Sequence, residues 1–359
     1  MLPRAQPNDS RYCFTVAWND VAASLVRKYQ LIYYTADGTV EMVRRRRGSN
    51  QSWSARTESR RRSSHPAMGV APPRAQYDLK NRRTFLKRSD YPSVTAKDLY
   101  KGGVVTIYSR QLEIVDYGDE FTRKIFDGLA ASTTVKVAPA HLSSMGRIID
   151  AIQAADLNIS ELRLLADGLA LKLTGSNTNE TWGELAPKIN AQLEGAVETV
   201  GDVFSTPLPK PGVGDAATCS LLLVRAHAIK AGALGRIVDQ VLGSGFEVVN
   251  AFMTQLSRPN AGEFLEVYKG VVPECVDWIE ELVSGKVVAL QLRYAAQPES
   301  TVLALRELCG AHDPEIASHL HTNSLRALFG SSKVKNAVHC TDLPEDAPLE
   351  VDYFFSILA

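Results

Sequence analysis

The sequence lacks the features of secreted, membrane-bound and nucleic-acid-binding proteins. Its five cysteines, at positions 13, 219, 275, 309 and 340, form no C-x-x-C pair, which argues against a disulfide framework and a zinc site. Lysine plus arginine and aspartate plus glutamate both total 40, so net charge favours neither nucleic acid nor a membrane as a partner. No apolar run reaches the length of a membrane span, and the first residues show no signal-peptide core. These absences predict a soluble, intracellular protein.

The first 120 residues show little helical periodicity and are rich in residues that form β-strands. Aromatic and β-branched residues dominate 12–18, 31–43 and 104–115. The second run is interrupted by Asp37-Gly38, the strongest short-range signal for a hairpin turn. A chain of 359 residues with 45% hydrophobic content can form two or three domains. From the strand-forming runs, we expect the first domain to be a small β-barrel or sandwich.

This region resembles the DM-ten domain of ciliary axoneme proteins. The resemblance is carried by AWND (17–20), LIYYTADGTVEM (31–42), NRRTFLKR (81–88) and SRQLEIVDYGDEFTR (109–123). It implies a pleckstrin-homology-like β-domain at 1–125, associated in its family with microtubules.

An arginine-rich insertion at 44–75 interrupts the DM-ten pattern. It holds nine arginines and one glutamate with almost nothing to bury, which predicts a long mobile loop between strands. Two interpretations stay open. The segment is either a solvated insertion or a basic arm ordered against an acidic protein surface.

A shortened repeat precedes the last part of the chain. GRIIDAI (146–152) recurs 89 residues later as GRIVDQV (235–241), and ALKL (170–173) recurs 119 residues later as ALQL (289–292). The first copy therefore lacks thirty residues, which correspond to the helical stretch 260–284, and it has no histidine between His141 and His227. We expect a truncated domain at 133–204, a Pro/Gly-rich linker at 205–216, and a complete domain at 217–359 in which strands and helices are interleaved.

The heptapeptide Asn336-Ala337-Val338-His339-Cys340-Thr341-Asp342 has the composition of a phosphoryl-transfer site. A lone histidine is usually structural, but here two arginines and a carboxylate flank it. Arg306 and Arg326 can each fork two N–H donors onto phosphate oxygens. Glu350 follows His339 by eleven residues, so a helix can return its carboxylate to the imidazole. A carboxylate on one ring nitrogen leaves the other free to attack phosphorus.

Residues 218–359 resemble the nucleoside diphosphate kinases, whose signature is Asn-x-x-His-Gly-Ser-Asp. The resemblance implies that His339 and Glu350 are catalytic, and that the histidine carries the γ-phosphate of Mg-ATP or another nucleoside triphosphate to a nucleoside diphosphate. It also implies a set of nucleotide-binding residues: Arg225, Arg306, Arg326, Asn336 and Thr341. The fold class expected is α+β, with a pleckstrin-homology-like β-domain followed by two ferredoxin-like kinase folds, the first degenerate.

Several positions depart from the family pattern. Arg225 stands where the family has a lysine, and Cys340 where it has a glycine. Counting back from Ser284-Gly285 places the family's tyrosine and phenylalanine on Glu266 and Glu274, which would remove its aromatic platform. Since catalytic groups act as a unit, several moderate losses can abolish turnover while the fold stays intact.

Two functions of different classes are compatible with the resemblances. In the first, the protein is a structural component of ciliary or flagellar doublet microtubules, of the inner-protein type, docked on tubulin and neighbouring axonemal proteins. In the alternative, it is a microtubule-associated nucleoside diphosphate kinase acting through phospho-His339. The departures and the shortened copy favour the structural function. Both predict a location in the cytoplasm, in the cytoskeleton and at the axoneme of the cilium or flagellum.

Overall fold

The computed structural model describes residues 11–20, 23–44, 84–92, 94–127, 132–175, 177–205 and 218–358. The chain divides into two compact units, Met1–Asp127 and Gly128–Ala359. Most of the arginine-rich insertion at 44–75 and of the linker at 205–216 lies outside the described residues. Within the described part of the chain, no helix has the length and apolar character needed to span a membrane.

The first unit is a six-stranded antiparallel sheet with the order β4-β3-β2-β1-β6-β5. A helix, α1 (Glu120–Asp127), follows the last strand. Alternate side chains such as Phe14, Val16 and Leu31 are completely buried, as expected for strands with one face on a core. The strands are β1 (Arg11–Asp20), β2 (Leu25–Tyr34), β3 (Val40–Arg44), β4 (Thr84–Ser89), β5 (Val104–Ile107) and β6 (Arg110–Tyr117).

One turn of this sheet agrees with the sequence pattern and another was missed. Gly38 adopts a left-handed φ of 71° between β2 and β3, so the Asp37-Gly38 hairpin is confirmed. The run 104–115, which is rich in strand-forming residues, is a hairpin of β5 and β6. Its turn is formed by Tyr108 and Ser109, with φ values of 49° and 58°. The Tyr91 hydroxyl accepts a hydrogen bond from the Tyr108 N–H at 2.8 Å, a distant contact that the local sequence does not reveal.

The second unit is built on one eight-stranded sheet with the order β10-β7-β9-β8-β12-β13-β11-β14. Its strands are β7 (Ser132–Val137), β8 (Asn158–Leu165), β9 (Gly168–Thr174), β10 (Val197–Val200), β11 (Ser220–Val224), β12 (Phe246–Thr254), β13 (Val287–Tyr294) and β14 (Val338–Cys340). Its helices are α2 (Met145–Ala154), α3 (Thr178–Gln192), α4 (Ala226–Lys230), α5 (Leu234–Gly243), α6 (Arg258–Phe264), α7 (Cys275–Val283), α8 (Thr301–Cys309), α9 (Pro314–Leu320), α10 (Leu325–Phe329) and α11 (Ala347–Asp352).

The two halves of this sheet repeat one strand order but differ in helix cover. One face of the whole sheet packs on α2, α3, α5 and α8 in a continuous apolar core. The opposite face is covered by α6, α7 and α11 only over the second half. In the first half β8 and β9 are joined by a two-residue turn, whereas residues 255–286 separate β12 from β13. The corresponding face of the first half carries charged residues such as Lys136, Glu161 and Lys172.

The halves are joined at β8 and β12, where Arg163 pairs with Phe252, and by the helices α2 and α5. These helices carry the repeated GRI motifs and approach each other at two glycines. A Cβ atom on Gly235 would lie 2.4 Å from the Asp150 nitrogen, and one on Gly146 would lie 2.4 Å from the Asp239 nitrogen. Both contacts are with backbone, so neither can be relieved by a side-chain rotation.

We expect Gly235→Ala to lower the free energy of unfolding of the second unit by about 2 kcal/mol, because the added methyl group must push α2 away. The measurement is urea unfolding of the full chain followed by tryptophan fluorescence. Gly243→Ala, in the same helix, is the matched control, since nothing lies within 4 Å of its added Cβ. The control should be neutral or stabilising, because alanine is the better helix former. Equal effects of the two alanines would contradict the close helix contact.

Candidate active site

His339 is presented by the short strand β14, which pairs with β11 so that His339 lies opposite Leu223. The imidazole Nε2 lies 3.3 Å from Oε1 of Glu350, which α11 supplies. This contact engages one ring nitrogen and leaves Nδ1 as the atom for chemistry. The predicted return of Glu350 to the imidazole is therefore present in the structure.

The carboxylate of Glu350 is itself held in place. The Thr341 hydroxyl donates to Glu350 Oε2 at 2.7 Å and accepts from the Leu221 N–H at 3.2 Å. Burial alone would lower the pKa of His339, but the charge of Glu350 and its hydrogen bond outweigh that cost and raise the pKa above the ordinary value. Thr341 thus links the carboxylate to the backbone of β11.

Two aromatic rings fix the plane of the imidazole. Phe264 and Tyr268 contact His339 edge-to-face, with ring centroids 5.0 and 6.2 Å away. The Tyr268 hydroxyl donates to Oδ2 of Asp342 at 2.5 Å. Burial and the Asp342 carboxylate raise the pKa of Tyr268, so this phenol stays protonated and acts only as a donor.

A cavity of about 700 Å³ opens beside His339, within the size range of small-molecule sites. The cavity wall brings together four residues that are far apart in the sequence, as expected from their match to the kinase pattern: Arg306, Arg326, Asn336 and His339. Arg225 also lines the cavity. Thr341 and Glu350 are not part of the wall. Glu350 contacts the His339 imidazole, and Thr341 donates a hydrogen bond to Glu350.

Arg306 and Arg326 are oriented by backbone oxygens. Arg326 is buried, and its guanidinium donates to the carbonyls of Gly310 at 2.8 Å and Val338 at 3.3 Å. Arg306 donates one bond to the Asp342 carbonyl at 2.9 Å. A guanidinium has five N–H groups, so each arginine keeps donors beyond these bonds.

Arg225 is engaged by a carboxylate that sequence reasoning missed. Its Nε donates to Oε2 of Glu281 at 2.7 Å, and its Nη1 donates to Oδ1 of Asn336 at 2.8 Å. Both charged side chains are about 4% exposed. Burial by itself would raise the pKa of Glu281, but Arg225 and His227 outweigh it, so the carboxyl is ionised. The arginine is therefore held rigidly against the cavity.

The expectation that Glu266 and Glu274 replace an aromatic platform is wrong. The cavity wall is formed instead by Tyr268, Val272 and Trp278, and neither glutamate lines it. The Trp278 ring lies 4.6 Å from that of His312. An ungapped count from Ser284-Gly285 runs back through residues 265–274, which lie between α6 and α7, so it does not reveal which side chains face the cavity. The aromatic residues at 264, 268 and 278 were the available signal.

The described residues contain no cluster of three or more His, Cys, Asp or Glu side chains able to hold a metal ion. The cavity wall carries three arginines, an amide and three imidazoles beside two carboxylates, Glu307 and Asp342. The three guanidiniums suit phosphate oxygens. Mg²⁺ fits this site only as part of a nucleotide substrate, on phosphate oxygens.

Comparison with known families defines the class of protein. The model of the family "Nucleoside diphosphate kinase" matches residues 218–358, and the model "DM10 domain" matches residues 5–122. The chain thus has a mixed α+β organisation, with a β-rich DM10 domain before a ferredoxin-like nucleoside diphosphate kinase fold.

Sequence comparison with individual proteins identifies the family more specifically. "Nucleoside diphosphate kinase homolog 7" of Rattus norvegicus is 33% identical over 417 aligned residues, which cover 100% of this chain and 95% of the relative. The chain belongs to the nucleoside diphosphate kinase homolog 7 family. The nucleoside diphosphate kinase of Aquifex aeolicus is 36% identical over 137 residues, covering 38% of this chain and 93% of the relative. A crystal form of the Aquifex aeolicus enzyme aligns with 39% of this chain and 96% of its own, at a TM-score of 0.36.

Glu350→Gln should lower the pKa of His339, because the amide removes the charge that offsets burial. In the unmodified chain the raised pKa implies stability that is fully present below pH 6.5 and is lost as pH rises through the folded value. NMR titration of ¹³C-labelled histidine Cε1–H signals, with His339 assigned by substitution, measures both midpoints. A midpoint that is the same in both proteins would contradict the pairing with Glu350.

Proposed function

We propose that the second unit binds a Mg-nucleoside triphosphate and transfers its γ-phosphate to a nucleoside diphosphate through phospho-His339. The observation that carries this proposal is the pairing of His339 Nε2 with Glu350 beside a cavity lined by Arg225, Arg306 and Arg326. A nucleophile, the group that orients it and three cations for phosphate oxygens are thus assembled at one place.

The chemistry divides into two displacements on phosphorus. Nδ1 of His339 attacks the γ-phosphorus, and its N–P bond forms as the bond to the bridging oxygen breaks and the nucleoside diphosphate leaves. A terminal oxygen of a second nucleoside diphosphate then takes the phosphoryl group, and the N–P bond breaks. Mg²⁺ bound to the nucleotide substrate would neutralise phosphate charge. Glu350 stabilises the positive charge that develops on the imidazole, while Arg306 and Arg326 hold phosphate oxygens in line.

The residues of the cavity wall contradict the sequence argument that two glutamates at the nucleotide site would prevent turnover. Glu266 and Glu274 do not repel phosphate from within the cavity, because Tyr268 and Trp278 occupy its wall. The ion pair with Glu281 still reduces the charge that Arg225 offers to phosphate. We therefore place the rate below that of a housekeeping kinase.

We further propose that residues 133–204 are a truncated, degenerate copy of the kinase fold, kept for structure. The Ala138 N–H donates to the Ala196 carbonyl at 2.9 Å, just as the Arg225 N–H donates to the Ala337 carbonyl at 2.9 Å. These equivalent bonds put Ala138 at the position of Arg225. The strand registers then place Glu198, opposite Lys136, at the position of His339. A carboxylate there repels phosphate and cannot act as an imidazole nucleophile.

Incubation of the full chain with γ-labelled Mg-ATP should phosphorylate one residue, His339, giving an adduct that is acid-labile and base-stable. Transfer to an added nucleoside diphosphate should follow. His339→Ala should abolish both reactions, while His319→Ala, an exposed histidine outside the cavity, should leave them unchanged. Label that persists in His339→Ala would sink the proposal.

A second candidate function is docking of the first unit on microtubules of the axoneme, with tubulin and neighbouring axonemal proteins as partners. The observation that favours it is a set of arginine–aromatic pairs on this unit. The guanidiniums of Arg27 and Arg110 lie 5.8 and 4.8 Å from the Trp18 ring, and that of Arg88 lies 3.8 Å from the Tyr34 ring. Arg27 and Arg88 are also paired with Asp20 and Asp37, so their positions are fixed while part of their charge is offset. N–H donors of arginines held in this way suit an acidic partner. This candidate includes a structural role in the doublet microtubule, a ciliary or flagellar location and a pleckstrin-homology-like form for the domain.

Deletion of 1–125 should release the protein from doublet microtubules, whereas His339→Ala should leave it bound, because the proposed docking surface and His339 belong to different units. Co-sedimentation at increasing salt compares the two variants with the full chain. If the deletion variant sediments like the full chain at salt that strips loosely bound proteins, the first unit is not the anchor.

A further inference from the structure

A single buried carboxylate organises the end of β11 that faces the cavity. Oε2 of Glu281 accepts from Nε of Arg225, while its Oε1 accepts from the backbone N–H of His227 at 3.0 Å. The same Oε1 lies 2.8 Å from Nδ1 of His227. Glu281 comes from α7, so a helix on one face of the sheet is tied to the turn between β11 and α4.

The other nitrogen of His227 continues the chain of contacts. Its Nε2 accepts a hydrogen bond from the Ala337 N–H at 3.1 Å. A backbone N–H can only donate, so Nε2 must carry its lone pair there, and the ring proton sits on Nδ1 towards Glu281. The carboxylate therefore selects the tautomer that binds Ala337.

Ala337 needs this support because its backbone is strained. It is completely buried with a φ of 71°, a conformation that residues other than glycine rarely adopt. Its carbonyl accepts from the Arg225 N–H at 2.9 Å, so the α4 region holds both of its polar backbone groups. Ala337 stands two residues before His339, and the adjacent Asn336 lines the cavity.

We propose that His227 and Glu281 are positioning residues for the transfer step, acting through the strained Ala337 turn to hold His339 in line with the phosphate. The inference rests on the proposed phosphotransfer function, but it assigns roles to two residues outside the expected site. Neither Nδ1 nor Nε2 of His227 is directed to substrate, because Glu281 and Ala337 occupy them. The effect of His227 is therefore on geometry, to which in-line displacement is highly sensitive.

His227→Leu tests the inference, because leucine cannot accept from the Ala337 N–H. We expect the single-turnover rate of His339 phosphorylation by Mg-ATP to fall about tenfold or more, since a displacement of about 1 Å is enough for such a loss. The Kd for ADP, measured by calorimetry, should change less than about threefold, because Arg225 keeps its bonds to Glu281 and Asn336. His319→Leu, at an exposed position, is the matched control and should change neither value.

Two rescues separate positioning from a general loss of structure. His227→Gln supplies an amide oxygen that can accept from the Ala337 N–H, so it should keep most of the rate. Adding Ala337→Gly to His227→Leu should restore part of the rate, because glycine adopts positive φ without the same steric cost. A purely structural role would lower the melting temperature without either pattern of rescue. Absence of both rescues in folded variants would overturn the inference.

Hydrogen exchange at Ala337 distinguishes failure of this inference from failure of the proposed function. The Ala337 amide should exchange faster in His227→Leu than in the unmodified chain. An active unmodified chain with unchanged rate and exchange in His227→Leu would refute the positioning role. No label on His339 in the unmodified chain would refute the proposed function, and faster exchange at Ala337 would then still support the structural link.

Discussion

The five-residue strand β11 is the constraint on which the core and the candidate site both depend. All five of its side chains are buried. Leu222 and Val224 face the core under α5 and α8, while Leu221 and Leu223 face the core under α6 and α7. The same strand pairs with β14, and the register of this pairing places His339 opposite Leu223. A strand of three residues has little stability of its own, so the position of His339 is set by its pairing with the buried strand β11.

The half of the sheet formed by β7, β8, β9 and β10 supports the half that carries the candidate site. Its β8 pairs with β12, which would otherwise be an exposed edge strand. This half supplies apolar residues that face its helices, such as Leu162 and Leu171, and one side of the glycine contact between α2 and α5. It therefore has a structural part in the second unit.

The charged groups of the candidate site are held by the protein before any ligand arrives. Arg225 is fixed by Glu281, Arg326 by two carbonyls, and Glu350 by the Thr341 hydroxyl. Groups that need not reorganise during reaction stabilise developing charge most effectively. Because these anchors are contacts within the protein, one arrangement is compatible with both a catalytic and a structural function.

The sequence by itself determined the features that depend on local pattern and on spacing. Asp37-Gly38 specified a hairpin turn, and the repeated GRI motifs marked equivalent helices. The match of Arg306, Arg326 and Asn336 to the kinase pattern around His339 placed them at one cavity. Only the tertiary structure revealed the turn at Tyr108, the placement of Tyr268 and Trp278 in the cavity wall, and the contacts of His227. Those contacts join residues 54 and 110 positions apart, to Glu281 and Ala337. They were invisible in the sequence because the packing of α7 against the end of β11, rather than any local pattern, decides which side chains meet.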